Sequence, residues 1–126
     1  MEDKREIFLN HIEELFPNSK KIYQKHIEEC DGEDILWIIL FDEIGRNISE
    51  KFKEIAESDK IEIFESIEIQ LSDDNLDLST ALYTGLIEGL VDESMRIENQ
   101  WAELQKFMGE KSLEHAHAMN KFYGIE

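Results

Sequence analysis

Three short stretches of this chain carry side chains whose types and spacing could support chemistry. Asp73, Asn75 and Asp77 stand at alternate positions, like the first three oxygen ligands of an EF-hand calcium loop. The pattern then fails. Leu78 occupies the place where glycine makes the sharp turn, and Thr84 the place where a bidentate glutamate closes the shell. Glu114 and His117 form the Glu-x-x-His step of di-iron helical bundles, which need two such steps and two more glutamates; the chain has one step. His115 and His117 would point about 200° apart on a helix and could not share a metal. Glu62, Glu65 and Glu68 recur every three residues opposite the apolar side of their segment and are expected to be solvated. Carboxylates act as acid and base only when their environments separate their proton affinities. Cys30 lies among Glu28, Glu29 and Asp31, whose negative charge disfavours the thiolate. Glycine-rich phosphate loops and a nucleophile elbow are missing. No catalytic residue, cofactor or metal ligand is assigned, and an enzyme is not expected.

Charge is more informative. The 126 residues hold 30 acidic and 13 basic side chains, a formal charge of −17. Nucleic-acid binding through phosphates needs a basic face, and anionic membranes repel an acidic one, so neither is an expected partner. From Ile61 to Met95 there are nine acids and no lysine or arginine. Like charges along a helix repel, so such a stretch should face either solvent or a positive surface. Asp73, Asp74, Asp77, Glu88, Asp92 and Glu93 are the acids expected to meet a basic protein partner, with Tyr83 as an aromatic anchor.

These residues must be positioned by helices. The chain has one proline, Pro17, and six glycines, and helical periodicity runs throughout. The pattern predicts a first helix over residues 3–16, ended by Pro17-Asn18. A second runs from a Ser19 cap to Cys30, followed by an Asp31-Gly32 turn. A third begins near Asp34 and extends as far as Ala56, kinked or split at Gly45; its apolar start, Ile35 to Phe41, reads as the central buried element. Residues 61–71 fit a strand by the period of Ile61, Ile63, Ile67, Ile69 and Leu71. They fit a helix by Ile63, Phe64, Ile67 and Leu71. With no second alternating segment to pair with, helix is the assignment. Ser72 to Leu78 reads as a polar loop and Ser79 as the cap of the next helix. A further helix spans Ser94 to Met108, stopped by Gly109, and a last one Lys111 to Tyr123. The expected core is Trp37, Ile38, Phe41, Phe64, Ile67, Leu82, Leu86, Leu90, Trp101 and Leu104. The fold class is therefore all-α: residues 1–126 as a single domain of six or seven antiparallel helices, either a HEAT-like hairpin stack or an irregular bundle.

In layout the chain resembles small, acidic, all-helical bacterial proteins of the immunity type, some built from HEAT-like hairpins. The likeness lies in an amphipathic first helix ending at Leu15-Phe16-Pro17, the apolar central helix and the acidic turns. It extends to Phe107-Met108-Gly109-Glu110-Lys111-Ser112 and the closing Lys121-Phe122-Tyr123-Gly124. Such proteins neutralise a toxin made by the same cell. The resemblance implies an acidic inhibitor that binds a basic cognate toxin. The alternatives are a nucleic-acid-mimicking inhibitor of a defence or DNA-binding protein, and a helical metal-binding enzyme using Glu114 and His117. The charged start Met1 to Glu6 is not a secretory leader, and the longest apolar run, Ile35 to Phe41, is too short to span a membrane. A cytoplasmic protein is expected, which the single Cys30 also suits.

Overall fold

Asp3 starts the first helix by accepting the backbone N–H of Arg5 on its carboxylate, and Pro17 prevents that helix from continuing. The computed structural model describes residues 3–125; Met1, Glu2 and Glu126, the ends of the expected domain 1–126, lie outside the described residues. Helices follow in the order α1 Lys4–Leu15, α2 Asn18–Cys30, α3 Trp37–Glu50, a 3-10 turn Phe52–Glu54, and α4 Glu57–Leu71. Then come α5 Leu76–Thr80, a π-helical segment Ala81–Ile87, α6 Glu88–Met95, α7 Gln100–Gln105 and α8 Glu110–Phe122. Since α5, the π-helical segment and α6 run on without a break, the described residues form seven helices in one domain, with 78% of them helical and none in a strand. No described helix is long and apolar enough to cross a membrane.

The centre of the fold is α3 laid along the π-helical segment and α6. Glycines let the two backbones touch. A Cβ on Gly85 would lie 2.7 Å from the carbonyl oxygen of Ile38, one on Gly89 would run into the carbonyl of Asp42, and one on Gly45 into that of Leu86. Gly45 therefore makes a close crossing, and α3 runs on through it without a break. Around this crossing Leu40, Phe41, Ile44 and Ile48 meet Leu82, Leu86 and Leu90 in the core. One polar network is buried with them: the Ser49 hydroxyl donates to the Leu90 carbonyl at 2.6 Å, and the Gln100 amide donates to the Ser49 carbonyl at 2.8 Å. These bonds hold α7 to the end of α3. Helix α4 packs on both α1 and α8, so the helices close into an irregular bundle rather than follow one another in a line.

Residues 61–71 are helical, and their phase is the one read from Ile63, Phe64, Ile67 and Leu71, all buried. Ile61 and Ile69, which only the strand reading would have turned inward, are 45% and 67% exposed. Several expectations need correction. Ile38, expected in the core, is 42% exposed, and Leu36 and Ile39 beside it are exposed too. An all-apolar run carries no phase, and α3 begins only at Trp37, so the inward side is set by Leu40 and Phe41. Trp37 and Trp101 are half-buried. Ser19 lies inside α2, buried, and does not cap it. Asn75, not Ser79, caps α5, so the expected loop Ser72 to Leu78 already contains a helix start. The helix expected from Ser94 to Met108 is broken: α6 ends at Met95, and α7 begins after Asn99, a left-handed residue at φ 64°. Gly109 precedes α8 instead of stopping α7.

Candidate functional site

Helix α1 presents Lys4, Ile7 and His11 along one side, at spacings of three and four. Helix α4 faces them with Glu62, Glu65 and Ile69, and with Asp73 just past its end. Between the two lies a groove of about 620 Å³ with Phe8 at its base. Its walls are mixed. Ile7 and Ile69 are 48% and 67% exposed, whereas Leu9 and Ile12 of α1 and Ile63, Ile67 and Leu71 of α4 are buried in the core. Glu62 and Glu65 are exposed and ion-paired with none of the described residues. Lys4 Nζ sits 2.7 Å from Asp73 Oδ2 and ties one end of the groove together. That hydrogen bond, and a second from the Asn75 backbone N–H, hold the Asp73 carboxyl below its ordinary range. The result is a cleft with an apolar floor and a net negative rim.

The expected partner-binding residues are divided between two places. Asp73 lines the groove, and Asp74 and Asp77 follow it, exposed, at the start of α5. Glu88, Asp92 and Glu93 lie about 20 Å further along the continuous α5–α6 rod, counted at its rise per residue. There the charges are partly matched. Arg46 donates to Asp42 at 2.9 Å and to Asp92 at 2.5 Å, stands 3.8 Å from Glu93, and its own proton affinity is raised, first of all by Asp42. His115 is 3.0 Å from Glu88. The base-free stretch is thus base-free only in sequence, because α1 and α3 bring Lys4 and Arg46 to it, and α8 brings His115 to hydrogen-bond Glu88. Tyr83 is half-buried with its ring 4.9 Å from that of His115, and burial, then Glu68 and Glu114, push its phenol up. It packs within the fold and does not line the groove.

The chemistry-bearing motifs have local uses. Asp73 Oδ1 accepts the Asn75 N–H at 2.7 Å and Asn75 Oδ1 accepts the Leu78 N–H at 2.9 Å, so the calcium-like spacing builds a helix start. Among the described residues no three of His, Cys, Asp and Glu converge as a metal site. Glu68, expected in solvent with Glu62 and Glu65, instead reaches the first turn of α8 and accepts the backbone N–H of Lys111. Sequence reasoning missed the groove itself. Its signal was present in Ile7 and Ile69, isoleucines that fall off the inward stripe of their own helices.

Comparison with known proteins adds the family. No curated protein and no solved structure matches the chain. A family described as a domain of unknown function, DUF7674, matches residues 9–124, from the middle of α1 past the end of α8. That match takes in nearly every element described above, and the chain belongs to the DUF7674 family.

Proposed function

We propose that this protein is an acidic binding module that takes a basic, amphipathic segment of a partner protein into the groove between α1 and α4. The observation that carries the reading is the pairing of exposed Ile7 and Ile69 with the unpaired carboxylates of Glu62 and Glu65 in one cleft. Apolar side chains of the partner fill the floor, and lysines or arginines meet the rim. A net charge of −17 draws such a partner in from a distance, which mainly raises the association rate. The most economical partner is a basic cognate toxin in a bacterial cytoplasm, neutralised by direct binding. The layout likeness to immunity-type proteins supports that choice.

The test is growth. The protein encoded beside this one is expressed alone, with the wild-type chain, and with the Glu62→Lys/Glu65→Lys variant. The expected result is arrest that the wild type relieves and the variant does not. Equal relief by the variant would remove the groove from the mechanism, and no arrest by the neighbour would remove the toxin reading.

A further inference from the structure

The walls of the α1–α4 groove also constrain the shape of what fills it. Both walls are helices, whose backbone is hydrogen-bonded within each helix, so a guest meets side chains rather than a sheet edge. An extended guest would lay unpaired amides and carbonyls over an apolar floor. A helical guest brings its backbone bonds with it. Ser66, small and buried on the floor, lets such a helix approach α4 closely. The lining of α4 from Glu62 to Asp73 extends about 16 Å, enough for roughly three turns of a guest.

Charge is uneven along this length. Lys4 and Asp73 meet at one end, 2.7 Å apart, and cancel; Gln70, one turn before Asp73, is uncharged. Since Lys4 opens α1 and Asp73 follows the end of α4, the two helices run antiparallel, and His11 lies toward Glu62 and Glu65. That half holds both carboxylates that have no ion-pair partner among the described residues. They stand three positions apart, about 4.5 Å along α4. Two cations one turn apart on a facing helix match that spacing.

We infer, taking the groove as the partner's seat, that the guest is an amphipathic α-helix lying along it in one sense. Its cations sit in the turn nearest Glu62 and Glu65, its apolar stripe rests on Ile7, Phe8 and Ile69, and its uncharged end lies beside the Lys4–Asp73 pair. A helix basic along its whole length fits less well, because cations at the second end would confront Lys4 or displace it from Asp73.

Spin-labelled peptides test this. The probe is a three-turn peptide with leucines inward, glutamines outward and two lysines in one end turn, carrying a nitroxide at the lysine end or at the other. Amide broadening in the ¹⁵N-labelled protein reports where each end lies. The lysine-end label should broaden His11, Glu62 and Glu65, and the other label Lys4 and Asp73. Replacing a central outward glutamine by proline should weaken binding about tenfold or more, because proline breaks a helix and leaves an extended chain intact. Lys4→Gln frees Asp73, so the lysine-end label should then broaden Asp73 as well. Both ends broadened alike in the wild type, a proline peptide that binds as tightly, or a preference untouched by Lys4→Gln overturns the one-way helix and leaves the groove as a site. Should an evenly basic leucine-lysine peptide shift groove amides where this probe does not, the groove likewise stands and the confined charge falls. Shifts from neither peptide remove the groove and the function proposed for it.

Discussion

The carboxylate of Glu68 on α4 accepts both the backbone N–H and the hydroxyl of Ser112 on α8, at 3.3 and 2.9 Å, besides the Lys111 N–H at 2.5 Å. Helix α8 has no side-chain cap of its own, because Gly109 precedes it. A glutamate 44 residues away in sequence supplies one and places negative charge at the positive end of the helix dipole. Glu68→Ala should therefore cost about 1–2 kcal/mol, the range of a lost helix cap, although its side chain is polar and partly exposed. Urea titration with fluorescence detection would show it. A loss below a few tenths of a kcal/mol would mean that α8 is held by its apolar face alone.

Gly89 offers a test in which two effects have opposite signs. In an ordinary helix interior, Gly→Ala stabilises by about 1 kcal/mol. Here the new Cβ would meet the backbone carbonyl of Asp42, which cannot rotate away. Gly89→Ala should instead destabilise by about 1–3 kcal/mol, the usual cost of overpacking. A rise in melting temperature would show that α3 and α6 stand further apart than described.

Burial separates two aromatic residues that sequence placed together in the core. Phe41 is 1% exposed and meets Phe8 edge-on at 5.8 Å, whereas Trp101 is half-buried, its ring 6.1 Å from His117. Phe41→Ala should cost about 3–5 kcal/mol and Trp101→Ala less than half of that, both read from denaturant midpoints. Equal losses would contradict the assigned exposure of Trp101.

The difference between those two residues shows where sequence is informative. On α4 the alternation of isoleucine with glutamate fitted a strand that had no partner, and once that was set aside the helical face Ile63, Phe64, Ile67 and Leu71 gave the phase that is buried. The run from Ile35 to Phe41, which leads into α3, has no polar member, so nothing in it distinguished buried Leu40 from half-exposed Ile39. The acidic surface was legible as composition but not as geometry. Arg46, Lys4 and His115 come from three other helices, and no local pattern announces that they meet Asp92, Asp73 and Glu88. The groove escaped for the same reason, since its two walls are separated by more than 50 residues.

Acid should loosen the start of α1. The side-chain hydrogen bond from Arg5 is the main reason that the Asp3 carboxyl lies below its ordinary 3.8, and Asp3 also caps the helix through the Arg5 N–H. A lowered folded-state value means stability that is present above 3.8 and lost as pH falls through the lower value. Burial raises Glu13 above 4.5, which has the opposite sign, so the comparison must be between wild type and Asp3→Ala rather than across pH alone. The variant should be less stable at pH 6 by about 0.5–1 kcal/mol, a cap discounted for its exposure, and the gap should close as pH falls from 3.8 through the lowered value. Amide exchange at Glu6 and Ile7, which bond the Asp3 carbonyl at 3.0 and 3.1 Å, reports it locally. A gap unchanged at low pH would assign the effect to something other than ionised Asp3.

The groove makes its own prediction, and the choice of residues matters. Reversing Asp73 would also break its tie to Lys4 and the turn into α5, so a loss of binding there would be ambiguous. Glu62 and Glu65 hold no described partner, and changing them should leave the fold and its melting temperature intact. With a cationic amphipathic peptide of leucines and lysines as the probe, Glu62→Lys/Glu65→Lys should slow association about tenfold or more at low salt and flatten its dependence on ionic strength. Ile7→Ala and Ile69→Ala should act differently. They remove apolar contact area without changing the field, so they should speed dissociation and leave the association rate nearly unchanged. A peptide that associates with the doubly reversed protein at the wild-type rate would place the acidic docking surface elsewhere. Isoleucine variants with unchanged dissociation would leave the floor of the groove without a role.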